Sequence, residues 1–146
     1  MRARPQTIDP RLDPDRLHRQ VPAFSVGERS VADLLGVTRE GQLIVIELKA
    51  SEDILLPLQA LDYWLRVRWH LERGELSAAG YFRHLALKPD PPELLLVCPA
   101  LHFHPTTELL CRYLAPEVRA TMVGVKEDWR RELKVVFRRR IAPGRA

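Results

Sequence analysis

The stretch Leu43-Ile44-Val45-Ile46-Glu47-Leu48-Lys49-Ala50 decides the reading of this chain. Its first four residues are Leu, Ile and Val, the side chains that favour a strand, and charge arrives only at the strand's end. Side chains repeat every two residues along a strand, so Glu47 and Lys49 share a face. Upstream, residues 30–38 form a second run that carries Asp33. Between the two runs lies Arg39-Glu40-Gly41, short enough for a hairpin in which Gly41 supplies a positive φ. The two strands are therefore expected as antiparallel neighbours, with a second carboxylate on the strand beside Glu47. Two carboxylates beside an ammonium can hold a divalent cation that polarises a phosphoryl oxygen and acidifies a water, while the amine stabilises developing charge.

Working outward, residues 56–73 predict a long helix, with Pro57 in its first turn and Gly74 just past its end. Leu58, Leu61, Leu65 and Trp69 recur at helical spacing and are expected to be its buried face. Gln59, Tyr63, Arg66, His70 and Arg73 form another stripe, polar and partly basic, that suits either a phosphate-facing groove or ordinary solvation. After the loop Lys88-Pro89-Asp90-Pro91-Pro92, the run 94–98 predicts a strand buried on both faces. A helix over 105–114 and strands over 120–125 and 133–137 follow. Before the hairpin, residues 17–24 predict a first strand, with Pro22 confining it to an edge or a strand end. Residues 1–16 read as an extended Pro-rich lead-in. The order β-β-β-α-β-α-β-β argues for an α/β sandwich with a central mixed sheet flanked by helices, in one domain spanning 1–146.

Composition narrows the classes. With 46% hydrophobic and 29% charged residues, the chain is globular rather than disordered. No apolar stretch approaches the roughly 20 residues that a membrane helix needs. The opening Met1-Arg2-Ala3-Arg4-Pro5 has no apolar core behind it, so no secretory signal is expected. Cys98 and Cys111 form no paired motif and read as buried thiols of a reducing compartment, which points to the cytoplasm. A net charge of +4 and an isoelectric point near 9.4 permit a polyanionic partner without demanding one.

Asp33, Glu47-Leu48-Lys49, and Gln59 with Tyr63 four residues on together resemble the PD-(D/E)xK nuclease superfamily. The likeness is to its RecB-type branch, in which a Gln-x-x-x-Tyr helix follows the acidic-x-Lys strand. It spans roughly residues 21–73, and Gln20-Val21-Pro22-Ala23-Phe24 and Leu58-Gln59-Ala60-Leu61-Asp62-Tyr63-Trp64 look like those of bacterial members. The resemblance implies a restriction-endonuclease-like fold and Mg²⁺- or Mn²⁺-dependent hydrolysis of nucleic acid, DNA foremost. Asp33, Glu47 and the Leu48 carbonyl would hold the metal. Lys49 would orient water or stabilise the transition state, and Gln59 and Tyr63 would support the site. Arg66, His70 and Arg73 would meet the nucleic-acid backbone.

Two positions depart from the family pattern. Ala32 stands where the motif has its proline. The family core also opens with a helix bearing an acidic residue, whereas here a Pro-rich lead-in stands, with Glu28 as a stand-in or a homodimer mate or partner supplying the helix. The alternative function is a catalytically inactive nucleic-acid-binding or assembly module.

Other signals are bland. An isolated Glu-x-Lys is common on strands, and its specificity comes from the combination with Asp33, Gln59 and Tyr63. His102 and His104 lack a Cys or acid at ligand spacing and read as loop or capping residues. Trp64 could stack on bases, while Trp69 falls on the apolar stripe and is expected in the core. Arg138-Arg139-Arg140, the densest basic cluster, suits a phosphate backbone or a solvated strand end.

Overall fold

The computed structural model describes residues 4–19 and 32–144, with Ala32 and Asp33 described by their backbone alone. In chain order the elements are α1 (Pro5–Ile8), β1 (His18–Arg19), β2 (Ala32–Val37), β3 (Leu43–Leu48), α2 (Leu56–Glu72), α3 (Glu75–Ala78), β4 (Glu93–Pro99), α4 (Thr107–Arg112), β5 (Arg119–Val125) and β6 (Val135–Arg140). The described strands form one six-stranded sheet in the order β1-β2-β3-β4-β5-β6. β3 pairs in parallel with β4 and β4 with β5, while the remaining neighbours are antiparallel. This is an α/β protein with an open mixed sheet, and its strands and main helices follow the expected order. The short helices α1 and α3 are additions.

Both faces of the sheet are covered, which is why its central strands read as continuous apolar runs rather than alternations. On one face Leu35, Val37, Leu43, Val45, Leu94, Leu96 and Met122 pack against α2 and α3. On the other, Leu34, Ile44, Ile46, Leu95, Val97 and Val123 pack against Ile8 and Leu12 of the lead-in and against Trp129 and Leu133. Every residue of β4 is buried.

The hairpin forms as expected. Gly41 adopts φ +96°, and an added Cβ there would strike the Ala86 carbonyl. Its own carbonyl accepts from the Lys88 N–H at 2.9 Å, tying the turn to the loop before β4.

The rotation of α2 differs from expectation. Leu58, Leu65 and Trp69 are about half exposed, and the buried residues are Leu56, Pro57, Ala60, Tyr63, Trp64 and Val67. Apolar residues surround this helix, so periodicity offers two competing faces. The face that wins places small Ala60 and Val67 against the sheet. It also lets buried Trp64 donate its indole N–H to the Pro92 carbonyl at 2.6 Å, satisfying a group that burial would otherwise penalise. Trp69 lies outside the core, with the Arg73 guanidinium stacked 3.2 Å from its ring centre.

The lead-in differs too. Pro5 starts the one-turn α1, where a missing N–H is harmless, and the Asp9 N–H closes the turn on the Pro5 carbonyl at 3.1 Å. Of the expected first strand only His18–Arg19 is seen as strand. Residues 20–24 of it, with Pro22 and Phe24, lie outside the described residues, and so does Glu28 beyond it. Among the described residues no helix is long and apolar enough to cross a membrane.

Candidate active site

In the β2–β3 ladder Asp33 stands directly opposite Glu47. Glu47 continues the row of Leu43 and Val45 that faces α2, and it is 1% exposed. A carboxylate so deeply buried is tolerable only where it is paired, hydrogen-bonded or bound to a metal. Lys49 follows two residues on, just past the end of β3, and its N–H joins the Val97 carbonyl at 3.0 Å. Its ammonium lies 3.2 Å from the Asp53 carboxylate. The Leu55 N–H bonds Asp53 at 2.8 Å and holds its carboxyl below the ordinary carboxylate value, with Lys49 contributing further.

These residues sit where the parallel strands end. Ligands of open α/β sheets bind outside the carboxyl ends of their strands. Cys98, near the end of β4, is pushed up to about 12 by burial and by the nearby charges of Glu127 and Glu52. Glu127 accepts from the Leu101 N–H at 3.1 Å and lies 3.0 Å from His102. The edge thus gathers Lys49, Asp53, Glu52, Cys98 and the His102–Glu127 pair around the end of the Asp33–Glu47 ladder. His104 bonds the Thr106 hydroxyl at 2.8 Å and accepts from the Thr106 N–H at 3.1 Å, a local turn ahead of α4, which itself has no side-chain cap hydrogen bond.

Gln59 and Tyr63 come from the first half of α2, which packs over β3. Tyr63 is 3% exposed, so it is a core residue as well as a neighbour of the site's face. The Gln59 Oε1 is buried and takes no hydrogen bond among the described residues. It is therefore an acceptor held ready for a water or a donor group.

The structure does not bring Arg66, His70 and Arg73 to this edge. Trp64 already reaches Pro92, which precedes β4, so the rest of α2 runs past the opposite end of the parallel strands. Each of the three has a local partner: Arg66 pairs with Asp62 at 3.3 Å, His70 with Glu75 at 2.7 Å, and Arg73 with Trp69.

Sequence reasoning missed Asp53, although its i+4 spacing from Lys49 was visible. It also missed the Asp9–Arg11–Glu93 cluster, which joins residues 82 positions apart and left no local signal. No group of three or more His, Cys, Asp or Glu side chains among the described residues is placed to hold a metal, and the Asp33 side chain stands outside that set. A scan against protein-family models and searches among curated proteins and solved structures find no match for this chain.

Proposed function

We propose that this chain is a metal-dependent phosphodiesterase acting on nucleic acid, DNA foremost, on a restriction-endonuclease-like sandwich of the PD-(D/E)xK type. The observation that carries this reading is the pairing of Asp33 opposite Glu47, with Lys49 two residues beyond, at the carboxyl edge of the parallel strands. The succession β1-β2-β3-α2-β4, antiparallel twice and then parallel, supports it.

The donors suit a hard divalent ion. Glu47, which is buried, and Asp33, opposite it in the ladder, would offer carboxylate oxygens and Leu48 a carbonyl, the ligand set of Mg²⁺ or Mn²⁺. Such an ion supplies Lewis acidity and a more acidic bound water. The chain's own residues do the rest. Lys49 offers an ammonium to the charge that develops on phosphorus oxygens. The Gln59 Oε1 can accept a hydrogen bond from the attacking water. Tyr63 fixes α2 over the site, and Arg66, His70 and Arg73 would meet the backbone of a strand long enough to cross the sheet. The one-turn α1 contains no acidic residue, so a further carboxylate from a family-type opening helix would come from a second copy or a partner.

One observation favours the second reading, a catalytically inactive binding or assembly module: Lys49 is ion-paired to Asp53, which competes for its charge. Incubation of the full chain with single- and double-stranded DNA and RNA, in Mg²⁺, Mn²⁺ or EDTA, separates the two. The enzyme reading expects metal-dependent cleavage that falls about 10²–10³-fold in Lys49→Ala, with Mn²⁺ and nucleic-acid affinity retained. Binding without cleavage in either ion selects the module, and equal cutting by Lys49→Ala would overturn the site assignment.

A further inference from the structure

On the sheet face away from α2, a cleft of about 260 Å³ opens between the lead-in and strands β4 to β6. Leu95 and Val123 form an apolar floor, and Asp9, Arg11, Glu93, Thr121, Arg138 and Arg140 supply the polar walls. Three guanidiniums thus face two carboxylates.

The carboxylates are already engaged. Arg11 reaches both Asp9 oxygens, at 3.1 and 2.7 Å, and both Glu93 oxygens, at 2.9 and 3.1 Å. Arg138 donates from Nε and Nη2 to the Thr7 and Ile8 carbonyls at 2.8–3.0 Å, which anchors the lead-in and leaves Nη1 unused. Arg140 makes no hydrogen bond or ion pair among the described residues, and it stands directly across the ladder from Thr121. Val123 stands across from Arg138 in the same way.

We infer that this cleft binds a phosphate monoester, held by Arg140, the Thr121 hydroxyl and the outer Nη1 of Arg138. Two forked cations and a hydroxyl, converging above an apolar floor, match a tetrahedral anion carrying a small organic body. With both acids held by Arg11, the remaining positive charge faces the ligand. The volume lies just below the roughly 300–1,000 Å³ of drug-sized sites, which fits a phosphate on one sugar rather than a large cofactor. The monoester could belong to a free phosphorylated metabolite or to the 5′ end of an oligonucleotide. The site lies on the opposite face from Glu47 and stands or falls without the nuclease reading.

The test is an amide-shift titration of the ¹⁵N-labelled full chain with inorganic phosphate, ribose 5-phosphate and a 5′-phosphorylated trinucleotide. Saturable shifts are expected at Thr121, Val123 and Arg140. Arg140→Gln and Thr121→Val should each weaken phosphate at least tenfold, while Arg130→Gln, outside the cleft lining, leaves it unchanged. Tighter binding of ribose 5-phosphate than of the trinucleotide assigns a free metabolite, and the reverse assigns a nucleic-acid end. Shifts spread evenly over the surface arginines, or an affinity unchanged in Arg140→Gln, would overturn the inference.

Discussion

The Lys49 ammonium lies 3.2 Å from the Asp53 carboxylate, four residues on, where the chain turns from β3 into α2. The contact joins the candidate site to the helix entry, because Asp53 also accepts the Leu55 N–H. Asp53→Asn keeps an acceptor for that N–H and removes the charge that competes for Lys49. A partly exposed pair of this kind is worth up to about 1 kcal/mol. Under the proposed function, single-turnover cleavage by Asp53→Asn should therefore rise about two- to fivefold. A tenfold loss would instead make Asp53 a working part of the site.

The rotation of α2 has a stability signature. Leu58→Ala and Leu65→Ala remove half-exposed side chains and should change unfolding free energy by no more than about 0.5 kcal/mol. Val67→Ala empties space against the sheet and should cost about 2 kcal/mol. Urea denaturation of the three variants checks this, and a large loss from Leu65→Ala would return the helix to the other face.

The thiols should be inert in the native protein. Burial, with the charges of Glu127 and Glu52, raises Cys98 to about 12, and burial, with Glu108, raises Cys111 to about 11. At pH 8 the thiolate fraction of either is on the order of one in a thousand or less, far below that of a free cysteine. A thiol-reactive chromogenic disulfide should react slowly in buffer and rapidly in denaturant. Prompt native reaction of Cys98 would show that the carboxyl edge of the sheet opens readily.

Acid should weaken the anchor of the lead-in. Burial raises the Asp9 carboxyl, but the hydrogen bonds and charge of Arg11, with Arg138, outweigh it and hold Asp9 below its ordinary 3.8. A carboxyl depressed in the folded state contributes stability above its unfolded value and loses it as pH falls through the folded one. Arg11→Met should cost about 1–2 kcal/mol at pH 7, toward the low end for charged hydrogen bonds because the guanidinium is half exposed. The gap between variant and wild type should narrow from about pH 4 downward. A gap constant from pH 7 to pH 2 would remove Asp9 from the account.

Legibility followed locality. β3, β4 and the span of α2 were readable because burial on both faces and end signals such as Gly74 leave marks within a few residues. The hairpin was readable from Gly41, and with it the antiparallel pairing of the strands that carry Asp33 and Glu47. Which face of α2 turns inward was not, since the choice rests on Ala60 and Val67 meeting the sheet and on Trp64 finding Pro92, 28 residues away. α1 was hidden because a proline that breaks helices elsewhere begins one here. The later half of α2, with Arg66 and His70, and Arg73 at its C-cap share a stripe with Gln59 on paper, yet helix length carries them to the other end of the strands.

The sheet order follows the chain order, so its described margins are the two-residue β1 and the mostly exposed β6. A free strand margin invites pairing with another copy, and short or charged margins discourage it. β6 ends in Arg138, Arg139 and Arg140, so two such strands laid side by side would bring like charges together. The margin that carries this chain's densest run of positive charge is thereby also its guard against self-association, one that weakens as salt rises.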